Sequence, residues 1–138
     1  MRLLIIIFFL ILKSSNVFAA TNYFNEGLAL YEKKEFDKAK FKFEQDIVFN
    51  PKNEESYLYL SKIFNEQEKK ELEEKNLNTV ILLNPKNEEA TYNLAQLRLK
   101  ESDFEGSKQL IERLLIFCEH YCQKSKKLKI EIEKSLKK

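Results

Sequence analysis

The hexapeptide NPKNEE stands at residues 50–55 and again at residues 84–89, 34 residues further on. A chain that spells one polar turn twice at that interval has little freedom in its fold, because each turn must follow and precede the same kind of element. Pro51 and Pro85 cannot continue a helix, so each closes the one before it. Asn53 and Asn87 are well placed to cap the next helix, and the glutamates that follow each of them suit the positive end of a helix dipole. Each hexapeptide is therefore one helix exit and one helix start.

Upstream of Pro51, apolar residues recur at helical spacing over residues 22–33 and 36–49, with a charged break at Lys34 and Glu35. A second helix pair lies between the two prolines. A third runs from Glu88 with a break near Glu101, where Ser102 and Glu105, three residues apart, read as a capping box for its second helix. Only two Gly and two Pro in 138 residues, with 43% hydrophobic and 33% charged residues, suit a chain built of helices. The length allows one short run of stacked units rather than two independent cores.

These residues resemble the tetratricopeptide repeat. The first unit matches its pattern of bulky, small, aromatic and proline positions with Tyr23, Gly27, Leu30, Phe36, Ala39, Phe43 and Pro51, and departs at Glu26. The second matches with Tyr57, Leu60, Ser61, Phe64, Leu77 and Pro85, while Glu73 stands where a small residue usually lets the helices approach. The third matches with Leu94, Ala95, Phe104, Ser107 and Ile111, and departs at Thr91, Arg98 and Glu119. The resemblance implies an all-α fold, a right-handed superhelical stack of three helix pairs over residues 20–53, 54–87 and 88–122. Stacking hides the apolar face that a single pair cannot bury, with the small residues at the close approaches. Glu73 is expected to turn its carboxylate out to solvent.

Residues 1–19 read as a secretory leader: Arg2, an unbroken apolar run at 3–12, a polar group, then Val17 and Ala19 as the small residues of a cleavage site. The apolar run of ten residues spans roughly 15 Å as a helix, about half a bilayer's hydrocarbon thickness. Export to a bacterial periplasm is the expectation, an uncleaved leader holding the chain on the inner membrane the alternative. No cysteine follows the leader closely enough for lipid attachment. Arg2 and Lys13 account for the whole surplus of 24 basic over 22 acidic residues. The remainder is neutral overall but divided, with seven Lys and two Glu in residues 123–138 and an acidic excess before them. A nucleic-acid binder needs a basic face over its body, so none is expected here.

In residues 123–138, Leu128, Ile132 and Leu136 recur every four positions among lysines, as an outer helix covering the end of a stack would require. The rival reading is peripheral contact of this Lys-rich helix with a membrane surface. Cys118 and Cys122 sit where the third unit lacks its Asn-Pro turn. Four helical residues separate Cα atoms by roughly 6 Å, within disulfide range. A structural disulfide, two packed thiols, and metal or redox chemistry with the intervening His120 all remain open. A zinc site wants four ligands, and no second Cys or His group exists.

His120 is the only histidine, no glycine-rich phosphate loop is present, and the carboxylates lie scattered along helix surfaces. No catalytic residue, metal site or cofactor is expected. The resemblance implies instead a concave groove that takes a peptide or helix of a protein partner. Helical spacing places Phe24, Leu28, Tyr31, Leu58, Lys62, Asn65, Tyr92, Gln96 and Leu99 along it, the alternative for each being packing against the neighbouring helix or the last helix. Relatives that grip a chaperone's C-terminal carboxylate use basic and Asn side chains, where this chain has Phe24, Leu28, Tyr59, Glu89 and Asn93; that activity is not carried over. The expected role is an adaptor in the cell envelope, with an assembly subunit that uses its outer face or basic last helix as the alternative.

Overall fold

The computed structural model describes residues 16–137, so most of the expected leader lies outside the described residues. Those residues form helices and no strand: α1 (Asn16–Glu32), α2 (Phe36–Phe49), α3 (Glu54–Glu66), α4 (Lys70–Leu83), α5 (Glu88–Lys100), α6 (Phe104–Phe117) and α7 (Cys122–Ser135). Among the described residues no helix is long and apolar enough to cross a membrane.

One turn is built three times. Lys34, Glu68 and Ser102 each adopt positive φ, at 60°, 56° and 64°, and are 34 residues apart. At each, two backbone N–H groups close back on the preceding helix, as from Lys34 to Tyr31 at 2.9 Å and from Glu35 to Leu30 at 3.0 Å. This left-handed C-cap satisfies carbonyls that the helix end would otherwise leave bare. It also sets the starts of α2, α4 and α6. The capping box expected at Ser102 is not formed, because Ser102 is consumed by this turn; Asp103 is the N-cap of α6, accepting the Gly106 N–H at 2.9 Å.

The contacts divide the chain into two compact units, Met1–Ser56 and Tyr57–Lys138. In the first, α1 packs on α2 around Ala39 and Phe43, both fully buried. A methyl group on Gly27 would stand 2.7 Å from the Phe43 ring, so glycine is required for this approach. Tyr23 stacks on Phe49 with ring centroids 5.6 Å apart. Glu26, a departure from the repeat pattern, pairs with Lys42 at 2.6 Å. Asp46 is buried at 1% exposure and its Oδ2 accepts from the Asn53 side chain and the Ser56 hydroxyl, each at 2.6 Å. A buried carboxylate thus ties the end of α2 to the start of α3.

Among the described residues the second unit shows two apolar clusters. Leu58, Leu77, Val80, Ala90, Leu94 and Leu97 form one. Ala95, Ile111, Leu114, Leu128 and Ile132 form the other, where α7 covers α6 and α5. Ser107 lets α5 and α6 approach, its hydroxyl donating to the Ala95 carbonyl at 2.7 Å. Thr91 is fully buried and returns its hydroxyl to the Asn87 carbonyl at 2.8 Å, while Arg98 reaches Glu74 and Asp103. Glu73 does not escape to solvent. It is 5% exposed and accepts from the Asn65 side chain at 2.9 Å, because Asn65 at the end of α3 offers a donor within the hairpin. Leu136 lies beyond α7 and is exposed, so only Leu128 and Ile132 of the expected stripe are buried.

Candidate functional site

In the first unit, the three groove candidates stand on α1. Phe24 is half-buried with its ring 5.8 Å from Phe43, and Tyr31 is half-buried with its ring 5.5 Å from Phe36. Both lean on α2 of their own hairpin. Leu28 is half-buried between them in sequence.

In the second unit the candidates divide by depth. Leu58 is 7% exposed within the first apolar cluster, so it is a core residue rather than a wall of the groove. Its neighbour one turn on, Lys62, is half-buried and aimed across to α5: its Nζ lies 2.8 Å from Glu89 and 4.5 Å over the Tyr59 ring. Asn65 is exposed but turned to Glu73. Burial raises the Glu73 pKa, and the Asn65 donor offsets this only in part.

Tyr92, Gln96 and Leu99 are brought together with α7. The Tyr92 ring lies 5.4 Å from Tyr121, at the start of α7. Burial pushes both phenols up; Glu131 adds to the rise at Tyr92, and Glu89 and Glu88 add to it at Tyr121. Gln96 and Leu99 line a hollow of about 330 Å³ together with Lys100, Phe104, Leu128 and Glu131. Its floor is apolar and its rim carries one base, one acid and neutral hydrogen-bonding groups.

The turn from α6 to α7 is clasped by the first residue of α5. The Glu88 carboxylate accepts the N–H groups of Glu119, His120 and Tyr121 at 2.7, 3.0 and 2.7 Å. Glu119 occupies the place of Pro51 and Pro85, and a proline there would have no N–H to give. Cys118 and Cys122 flank this turn, with Cα atoms 5.3 Å apart and sulfurs 2.05 Å apart. Among the described residues no group of three His, Cys, Asp or Glu is placed to hold a metal ion. Sequence reasoning missed Glu88, Tyr121 and Glu131; a Glu opening a helix ordinarily signals only the dipole, and Tyr121 and Glu131 lie outside the repeat pattern.

The inward stripe of the second unit can therefore offer aromatic faces, an apolar hollow and neutral donors and acceptors. It does not offer a free cation on α3, since Lys62 is held by Glu89 and Tyr59.

No family model matches the sequence, and no curated protein matches it. Solved structures do. The first tetratricopeptide domain of Spaghetti (RPAP3), bound to the HSP90 peptide SRMEEVD, is 18% identical with a TM-score of 0.78, covering 86% of this chain and 94% of that one. The tetratricopeptide domain of OM64 from Arabidopsis is 20% identical with a TM-score of 0.77, covering 87% and 98%. The TPR2B domain of yeast Sti1, in complex with pHsp70, is 12% identical with a TM-score of 0.76, covering 83% and 96%. The chain has the tetratricopeptide-repeat fold.

Proposed function

We propose that this protein is a non-enzymatic adaptor of the cell envelope that holds a segment of another protein against the inward stripe of its second unit, on α3 and α5. What supports the reading is the fold together with one feature of the second unit, the aromatic and neutral wall of Tyr59, Tyr92 and Gln96 beside an apolar hollow. Rigid aromatic side chains supply contact area at low entropic cost. The Spaghetti and Sti1 domains are seen in peptide and partner complexes, which makes a peptide the natural guest of this fold. Their ligands do not transfer. With Lys62 neutralised by Glu89, the guest is selected by apolar side chains entering the wall rather than by an acidic C-terminus.

A secretory leader at residues 1–19 would carry the protein across the inner membrane, where an oxidising compartment would close the Cys118–Cys122 bond. Mass spectrometry with and without reduction before alkylation tests that step. For the adaptor role, a photo-crosslinking amino acid at Tyr92 should capture one envelope protein, and Y59A in the same chain should abolish the crosslink with helicity unchanged. Capture that persists in Y59A, or crosslinks to no protein, refutes it.

A further inference from the structure

The outward face of α7 is not used by the fold. Leu128 and Ile132 turn into the second apolar cluster. On the opposite side, spaced to form one stripe, stand Lys126, Lys127, Ile130, Glu133, Lys134 and Lys137, all exposed. Lys129 and Lys124, on the flanks, are engaged by Glu112 at 3.0 Å and by the Tyr121 ring at 4.8 Å. The four lysines of the stripe have no ion-pair partner among the described residues, and Glu133 is the one acid within it. At their centre Ile130 is 54% exposed.

We propose that this stripe docks the protein on an anionic phospholipid surface, with the four lysines on headgroup phosphates and Ile130 entering the acyl boundary. The charge is complementary to such a surface and to little else the geometry favours. An isolated isoleucine ringed by lysines needs a shaped pocket on a protein partner, whereas lipid accepts it in any orientation while the long lysine stems reach back to the phosphates. The proposal is independent of the groove.

The test is cosedimentation of the full-length chain with vesicles of phosphatidylcholine alone or mixed with phosphatidylglycerol. The proposal requires tighter binding to the mixed vesicles, weakened by salt. K126A/K127A should lower that affinity about 25-fold, taking roughly five-fold per lysine. I130S should lower it further, and both variants should keep wild-type helicity because the residues touch no core. The N-terminal run is common to all variants and cancels in the comparison. Equal binding to the two vesicles, or wild-type affinity in K126A/K127A, overturns the proposal. So does binding to soluble polyglutamate as tight as to vesicles, which would make an acidic polypeptide the occupant.

Discussion

Glu88 and Tyr121 are joined across 33 positions of sequence by a 2.7 Å hydrogen bond from the Tyr121 N–H to the Glu88 carboxylate. With Glu119 and His120 donating beside it, one side chain on α5 holds the whole turn that launches α7. Burial alone would raise this carboxyl, but the three N–H groups outweigh it and hold the pKa below its ordinary 4.5. A carboxyl with a depressed pKa contributes stability that is full above 4.5 and is lost as pH falls through the lower folded value. E88Q should therefore melt below wild type at neutral pH, with the gap closing on acidification below 4.5. Thermal melts by circular dichroism across that range measure it; a gap independent of pH contradicts the assignment.

Asp46 makes a comparable tie in the first unit, from a buried position. Its Oδ2 accepts from Asn53 and Ser56, so D46A strands the Ser56 hydroxyl and leaves the Asn53 amide only its 3.2 Å bond to that hydroxyl. Leaving buried donors unsatisfied costs about 1–3 kcal/mol. Urea unfolding should register a loss of that size.

Much of this fold was legible because its punctuation is local. Pro51, Pro85, Asn53 and Asn87 act on the backbone within a few residues, so the hexapeptide announced both turns and their interval. The other recurring turn was half hidden. Lys34, Glu68 and Ser102 share positive φ at the same 34-residue spacing, yet none is glycine, the residue that would have revealed a left-handed cap. The misplaced cap at Ser102 follows from that hidden turn, which consumes Ser102 and moves the N-cap one residue on to Asp103, whereas the solvent-facing orientation expected for Glu73 missed a hydrogen bond from Asn65 on the facing helix. The groove was legible only as a stripe. Leu58 drops into the cluster it shares with Leu77, Val80 and Leu94 of α4 and α5, and Tyr92 meets Tyr121 because α7 docks at a place that spacing within the repeats does not specify.

A left-handed backbone costs an L residue roughly 1–2 kcal/mol, and glycine returns part of that gain through its freer unfolded chain. S102G should accordingly stabilise the protein by about 0.5–1 kcal/mol, and S102V should destabilise it, since a β-branched side chain resists positive φ. Chemical denaturation of the two variants against wild type gives the sign directly. A destabilising S102G would mean that the serine side chain supplies something the turn needs.

At Gly27 the opposite substitution is excluded. The Cβ of G27A would meet three Phe43 ring atoms at 2.7 to 3.0 Å, and Phe43 is fully buried with no room to withdraw. Overpacking of this kind costs about 1–3 kcal/mol. The double variant G27A/F43L should regain stability relative to G27A, which a propensity effect of alanine on α1 could not produce.

Glu73 works against Glu88 in its dependence on pH. Burial is the main cause of its raised pKa, with the Asn65 donor and Lys100 pulling the other way. A carboxyl raised above 4.5 on folding contributes stability that is full below that value and is lost as pH rises through the folded pKa. E73Q keeps an amide oxygen to accept from Asn65 and carries no charge to desolvate, so it should melt above wild type at neutral pH. Its advantage should vanish as pH falls towards 4.5, just where E88Q begins to close its own deficit. Melting curves of the two single variants and of E73Q/E88Q separate the windows: if E73Q matches wild type at neutral pH, the carboxylate is hydrated and the burial assigned to it is wrong.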